Sequence, residues 1–405
     1  METVRLKYED FIESEINNDY FSDTQKYARL GISFSKGKAL AFTKEKDAEI
    51  RGFVFERIKK NNIPLSVEFV MSQLTTYLMT LYENGCKEDD LNSFFKQLNT
   101  IELKTVNIFL KIYNLCIDID SYETSSFILF TPSYFIKKYP NPFMYNRISE
   151  QNTINTDNLC HTAIVFKNVK IIPGDDYQIR SVIQEKTQQF LNLISIALGY
   201  KQDALTLNSS FIHNSTEYHL LNENMVETSS SYSSDNSTFG RGEIRLKTNL
   251  FFNNHKNLFT LLDEPKTALQ DKIFKSTMWL GKSLRNENIG DAFLQISIAL
   301  ECLLTRQEKN SFINPSITYS LSETLAFLVG NTKEERLSIF KDIKKLYSLR
   351  SAIVHSGKSN IEIKDYYNFF NFVRQGIYVI LKLVEEKKYQ NIDDIYSYID
   401  DLKFS

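Results

Sequence analysis

Arg350 and His355 lie in the stretch Leu346-Tyr347-Ser348-Leu349-Arg350-Ser351-Ala352-Ile353-Val354-His355-Ser356-Gly357. A neutral imidazole can take the proton from an RNA 2′-hydroxyl, because an ordinary histidine pKa of about 6.5 leaves the ring largely deprotonated near neutral pH. The resulting alkoxide can attack the adjacent phosphodiester, provided a cation stabilises the charge that builds on the phosphoryl oxygens. Arginine does this with a planar fork matched to two oxygens. One arginine and one histidine are therefore enough for a 2′-hydroxyl-dependent cleavage that calls for no metal and no cofactor. The plainer alternative is that both side chains cap carbonyls at a helix end.

Their spacing adds a geometric condition. On a regular helix five residues turn through about 140°, so the two side chains do not lie side by side. Either the helix breaks at the histidine, with Ser356-Gly357 as a left-handed stop, or a second copy of the chain completes the site. A histidine in a last helical turn also faces the negative end of the dipole. That favours its protonated form and suits a residue that alternates between base and acid.

The elements that must hold this pair are helices. From about residue 257 onward apolar residues recur at three- and four-residue steps, predicting helices over 272–286, 289–306, 317–328, 334–354 and 364–386, with a short one over 393–402. Amphipathic helices with short links make a bundle. Upstream the pattern changes. Residues 1–120 read as mainly helical, most clearly over 66–83, with further helices over 90–98 and 105–115; the segment 101–110 also suits a strand and 28–42 a hairpin. Residues 121–260 read as mixed α/β, with strands at 126–130 and 162–166 and a helix over 178–198. The Ser- and Asn-rich tract at 224–242 is too polar to bury much surface and reads as a mobile loop. The fold class expected is α+β, predominantly α, with a helical bundle over 261–405.

Arg350-Ser351-Ala352-Ile353-Val354-His355 resembles the R-x4-6-H motif of HEPN domains, in particular the Apea-like branch with its Tyr-x-Leu-Arg-Ser-x-x-x-His signature followed by Gly or Ser-Gly. Upstream, Ala299-Leu300-Glu301-Cys302-Leu303-Leu304 is similar to that family's Ala-Leu-Glu-x-Leu-Leu helix. The resemblance covers about residues 265–388 and does not extend to the first 260. It implies that Arg350 and His355 are catalytic, that Ser351 supports them, and that Glu301 is an acid in or beside the site. It further implies metal-independent RNA cleavage across a homodimer, in a toxin or an effector of antiviral (phage) defence. Glu301 would otherwise be a surface carboxylate or an intrachain partner for Arg306 or Arg350.

Composition narrows the remaining classes. With 48 basic and 50 acidic residues the net charge is −2, so any RNA contact must come from a local basic surface, such as Lys333, Arg336, Lys341, Lys344 and Lys345 or the group Arg57, Lys59 and Lys60. Cys86, Cys116, Cys160 and Cys302 stand singly, which favours reduced thiols in a cytoplasmic protein. No signal-peptide core and no apolar run of about 20 residues occurs, so no membrane partner is expected. His213 and His219, with Glu217 between them, lack a third ligand at convincing spacing and read as a loop. No phosphate-cradling glycine motif is present. Trp279 could stack on bases, whereas Tyr366, Tyr367, Phe369, Phe370 and Phe372 read mainly as helix packing. The N-terminal region is expected to sense a trigger, select the RNA or restrain the nuclease.

Overall fold

A computed structural model of the protein describes residues 6–7, 11–15, 27–35, 38–61, 65–84, 88–89, 91–139, 161–209, 218–231, 243–263, 266–306, 317–356 and 361–404. The chain divides into two compact units, Met1–Val106 with Asn168–Gln184, and Asn107–Lys167 with Glu185–Ser405. Most of the 121–260 region thus belongs to the same unit as 261–405. Shifts in composition mark a change of secondary structure, whereas a unit is defined by a shared core, and strand pairing joins segments distant in sequence.

The first unit includes β1 (Phe11–Glu15), β2 (Tyr27–Ser35) and β3 (Lys38–Thr43) in an antiparallel sheet of order β1-β3-β2. The hairpin alternative for 28–42 is therefore correct, and Ser33 faces Leu40 across it. Helices α1 (Lys44–Asn61), α2 (Val67–Glu83) and α3 (Asn92–Leu98) follow. Their core joins Val54, Val70, Leu74, Phe94 and Leu98. The buried Asp175 carboxylate accepts hydrogen bonds from the Ser66 amide, the Ser66 hydroxyl and the Gln178 amide, at 2.8, 2.6 and 3.0 Å. A single acid thereby caps the start of helix α5 (Asp176–Leu198) and ties down the start of α2.

The second unit contains most of a seven-stranded sheet. Its strands β4 (Lys104–Tyr113), β5 (Ser121–Glu123), β6 (Phe127–Phe130), β7 (His161–Ile171), β8 (Tyr218–Leu221) and β9 (Glu227–Ser231) run in the order β9-β8-β4-β7-β6-β5, with Asn208–Ser209 pairing β4 at the side. Of the two readings of this stretch, a helix over 105–115 and a strand over 101–110, the strand is the one found, as β4. Nearly its whole length is buried, and a short apolar run buried on both faces has no period that separates strand from helix. The polar tract also departs from expectation. Residues 227–231 form an edge strand paired antiparallel with β8, while 232–242 lie outside the described residues. An edge strand is held by main-chain hydrogen bonds and needs little side-chain burial.

The helical run follows as expected, in α+β fashion and predominantly α. It comprises α7 (Ala268–Leu284), α8 (Ile289–Leu304), α9 (Ile317–Val329), α10 (Lys333–Ser356), α11 (Ile363–Lys387) and α12 (Ile392–Phe404), numbered after the short α4 (Pro132–Lys138) and α6 (Lys201–Thr206). Thr267 and Gln270 form a reciprocal capping box on α7, and the Asn288 side chain accepts from the Gly290 and Asp291 amides of α8. Helix α7 packs on α8 and α9 on α10, while α11 touches α7, α8 and α9. Tyr366, Phe369 and Phe370 of α11 are fully buried there, with the Phe369 ring centroid 5.1 Å from that of Phe293 and the two rings tilted by 44°.

Cys302 is a free thiol. Cys116 is disulfide-bonded, against the expectation of reduced cysteines, because sequence spacing does not reveal which cysteines a fold brings together.

One close helix crossing depends on a missing methyl group. A Cβ on Gly281 of α7 would lie 2.5 to 2.6 Å from the Asn192 Cβ, Cα and carbonyl oxygen of α5, whereas one on Gly376 of α11 would meet mainly the tip of Leu325. Main chain cannot rotate away as a side chain can. Gly281→Ala is therefore expected to cost about 1–3 kcal/mol as overpacking, and Gly376→Ala markedly less. Urea unfolding of the two variants checks the order.

Candidate active site at the end of helix α10

Helix α10 sorts its residues by face. Ile343, Leu346 and Tyr347 are buried and lie within about 60° of Arg350 around the axis. Arg350 consequently projects on the side of α10 that packs against α8, where Glu301 occupies the penultimate turn. The Tyr347 hydroxyl donates to Glu301 Oε1 at 2.5 Å, and Arg350 Nη2 lies 3.5 Å from the same oxygen. The guanidinium also sits over the Tyr347 ring, 5.7 Å from its centroid. Two side chains of α10 thus converge on one carboxylate oxygen of α8.

The cluster is half-sheltered, with about a quarter of the Glu301 side chain and a third of the Arg350 side chain exposed, as 26% and 32%. Burial pushes the Tyr347 hydroxyl pKa well above its ordinary value, and the hydrogen bond and negative charge of Glu301 push it the same way, with Arg350 opposing. Tyr347 therefore stays a neutral donor. Of the two intrachain partners considered for Glu301, Arg350 is the one found. Arg306 instead pairs with Asp393 at 2.9 Å and lies over the Tyr396 ring.

His355 stands apart from this group. Helix α10 continues through Ser356, so the helix does not break at the histidine. The five-residue turn of about 140° applies in full and carries His355 to the solvent face, with exposed Ser351 and Ser348 as neighbours. Gly357 lies outside the described residues. His355 does sit in the last helical turn, at the negative end of the dipole. Within one chain, then, Arg350 and Glu301 come together, and Ser351 and His355 share the opposite, exposed face.

Tyr347 is the member that sequence reasoning left without a role. Its signal was present in the spacing, since a residue three before Arg350 shares its face. Elsewhere, His219 is not in a loop: it is buried in β8, with Nδ1 3.1 Å from Glu227 Oε1, while His213 and Glu217 lie outside the described residues. Among the described residues no group of three or more His, Cys, Asp or Glu is placed to hold a metal. Trp279 is partly buried with Lys282 over its ring. No helix among the described residues is long and apolar enough to cross a membrane.

Fold and site together define a predominantly helical α+β protein whose helical run carries an Arg–Glu–Tyr cluster between α8 and α10. No protein-family model, no curated protein and no solved structure matches the chain.

Truncating the shared acceptor strands two donors at once. Glu301→Ala is expected to destabilise the second unit by about 1–3 kcal/mol, because the sheltered Tyr347 hydroxyl loses its partner. Glu301→Gln retains an acceptor and should cost clearly less. Denaturation midpoints of both variants, alongside Tyr347→Phe at about 1 kcal/mol, give the test.

Proposed function

We propose that this protein is a metal-independent RNA endonuclease of HEPN type, acting as a toxin or effector of antiviral defence. His355 takes the 2′-hydroxyl proton as general base. Arg350 stabilises the phosphoryl charge, Glu301 orients Arg350, and Ser351 lies one residue beyond it to support the bound backbone. The observation that carries this reading is the Glu301–Arg350 contact over the Tyr347 ring. It holds a guanidinium in a fixed orientation at the bundle surface and leaves part of its donor fork open.

The separation of His355 from Arg350 around α10 supports a site completed by a second copy, in which one protomer supplies the arginine and its partner the histidine. Val354, 52% exposed, and Ile363, 54% exposed, flank the segment between α10 and α11 and offer apolar surface for such a contact. The chain before the helical run would sense a trigger, select the RNA or restrain the nuclease.

One observation favours a second reading. Arg350 already has an acidic partner within its own chain, as it would in a non-catalytic module that binds RNA, nucleotide or a protein partner through the same surface. The two readings part on cleavage. Purified protein is expected to cut single-stranded RNA in excess EDTA and to leave a 2′-deoxy substrate intact. Arg350→Ala and His355→Ala should each lower the rate at least about 100-fold while keeping the fold. A parent that leaves RNA uncut would leave only the binding module, and folded variants that cut as fast as the parent would remove Arg350 and His355 from the chemistry.

A further inference from the structure

The exposed face of α10 carries more than the histidine. Lys333, Leu337, Lys341, Lys344, Ser348, Ser351 and His355 all lie within about 40° of the His355 direction, and all are exposed. They form a straight row about 33 Å long, from a rise of about 1.5 Å per residue. The acidic residues of α10, Glu334, Glu335 and Asp342, lie about 60° or more away around the axis. The ion pairs of this helix are made by Arg350 with Glu301 and by Lys345 with Asp365 at 3.6 Å, off the row. Lys333, Lys341 and Lys344 form none among the described residues. In a chain of net charge −2, this is a local concentration of unneutralised positive charge with two serines at its end, of which Ser348 donates its hydroxyl to the Lys345 carbonyl at 2.6 Å.

From this row we propose that the outer face of α10 is a track for the backbone of a single-stranded RNA, with phosphates on Lys333, Lys341 and Lys344 and the strand led past Ser348 and Ser351 to His355. The occupant follows from the shape and chemistry of the row. It is linear and unwalled, so it fits an extended polyanion and not a small ligand enclosed in a pocket. Leu337 is its one large apolar residue, too little for the apolar centre that a stable protein interface requires. A parallel two-fold contact along Lys333–Lys344 would set lysines against lysines, so that stretch is not the surface for a second copy, which meets the row only at its His355 end. The track rests on the nuclease reading only for its endpoint at His355.

The test measures binding apart from cleavage. Affinity of the full-length chain for a fluorescein-labelled 2′-deoxy single strand of 20 nucleotides is followed by anisotropy from low to moderate salt. Each phosphate contact contributes about 0.7 to the slope of log K against log salt for single strands, so Lys341→Gln with Lys344→Gln should lower the slope by about 1.4 and weaken binding throughout. Lys382→Gln, on α11 and pairing Glu386, should leave both unchanged. An unaltered slope in the double variant overturns the track, whatever the parent does to RNA. Binding of polyglutamate that competes fully with the oligonucleotide and weakens equally in the double variant also overturns it, in favour of an acidic protein. If the track variant loses binding while the parent shows no cleavage, the nuclease reading fails and the track stands.

Discussion

An α-helix turns its side chains by about 100° per residue, and α10 keeps that turn through Ser356. Everything proposed for this chain depends on that regularity. It sends Arg350 toward α8 and His355 toward solvent, and it aligns three lysines and two serines with the histidine. Had the helix ended at Val354, the two side chains could have met within one protomer. Because it does not, chemistry that needs both has to recruit a second copy.

The inward half of α10 is specified by packing. Ile343, Leu346 and Tyr347 are buried, and the hydroxyl of Tyr347 needs an acceptor in a sheltered place. Glu301 supplies it, and its remaining charge attracts Arg350. The same carboxylate thus satisfies a core donor and orients a surface cation. The end of α8 that presents Glu301 is held in turn from outside: Lys272 donates to the Cys302 and Thr305 carbonyls, and the Tyr396 hydroxyl of α12 to that of Leu304. These bonds satisfy carbonyls that a helix end leaves without partners.

Periodicity made the helical run legible, since the spans read from apolar spacing over 272–402 agree with α7 to α12 to within a few residues at each end. What escaped the sequence was decided by partners distant along the chain. The stretch that forms β4 suited helix and strand alike, because burial on both faces erases the period of two, and its neighbours β7 and β8 decide for the strand. Strand β9 looked like a loop because its partner supplies hydrogen bonds that its Ser-rich side chains do not advertise. In the site, Arg350 and His355 stood out by type and spacing. The Glu301 contact was one alternative among several, and Tyr347 went unassigned because a tyrosine on a helix face is usually core.

The most direct test of the two-copy site mixes the Arg350→Ala and His355→Ala proteins, each inactive alone. Random re-pairing makes half of the dimers mixed, and each mixed dimer regains one of its two sites, so RNA cleavage should return to about a quarter of the parent rate. If both variants fold and dimerise, yet the mixture stays as inactive as its components, Arg350 and His355 do not act across two copies.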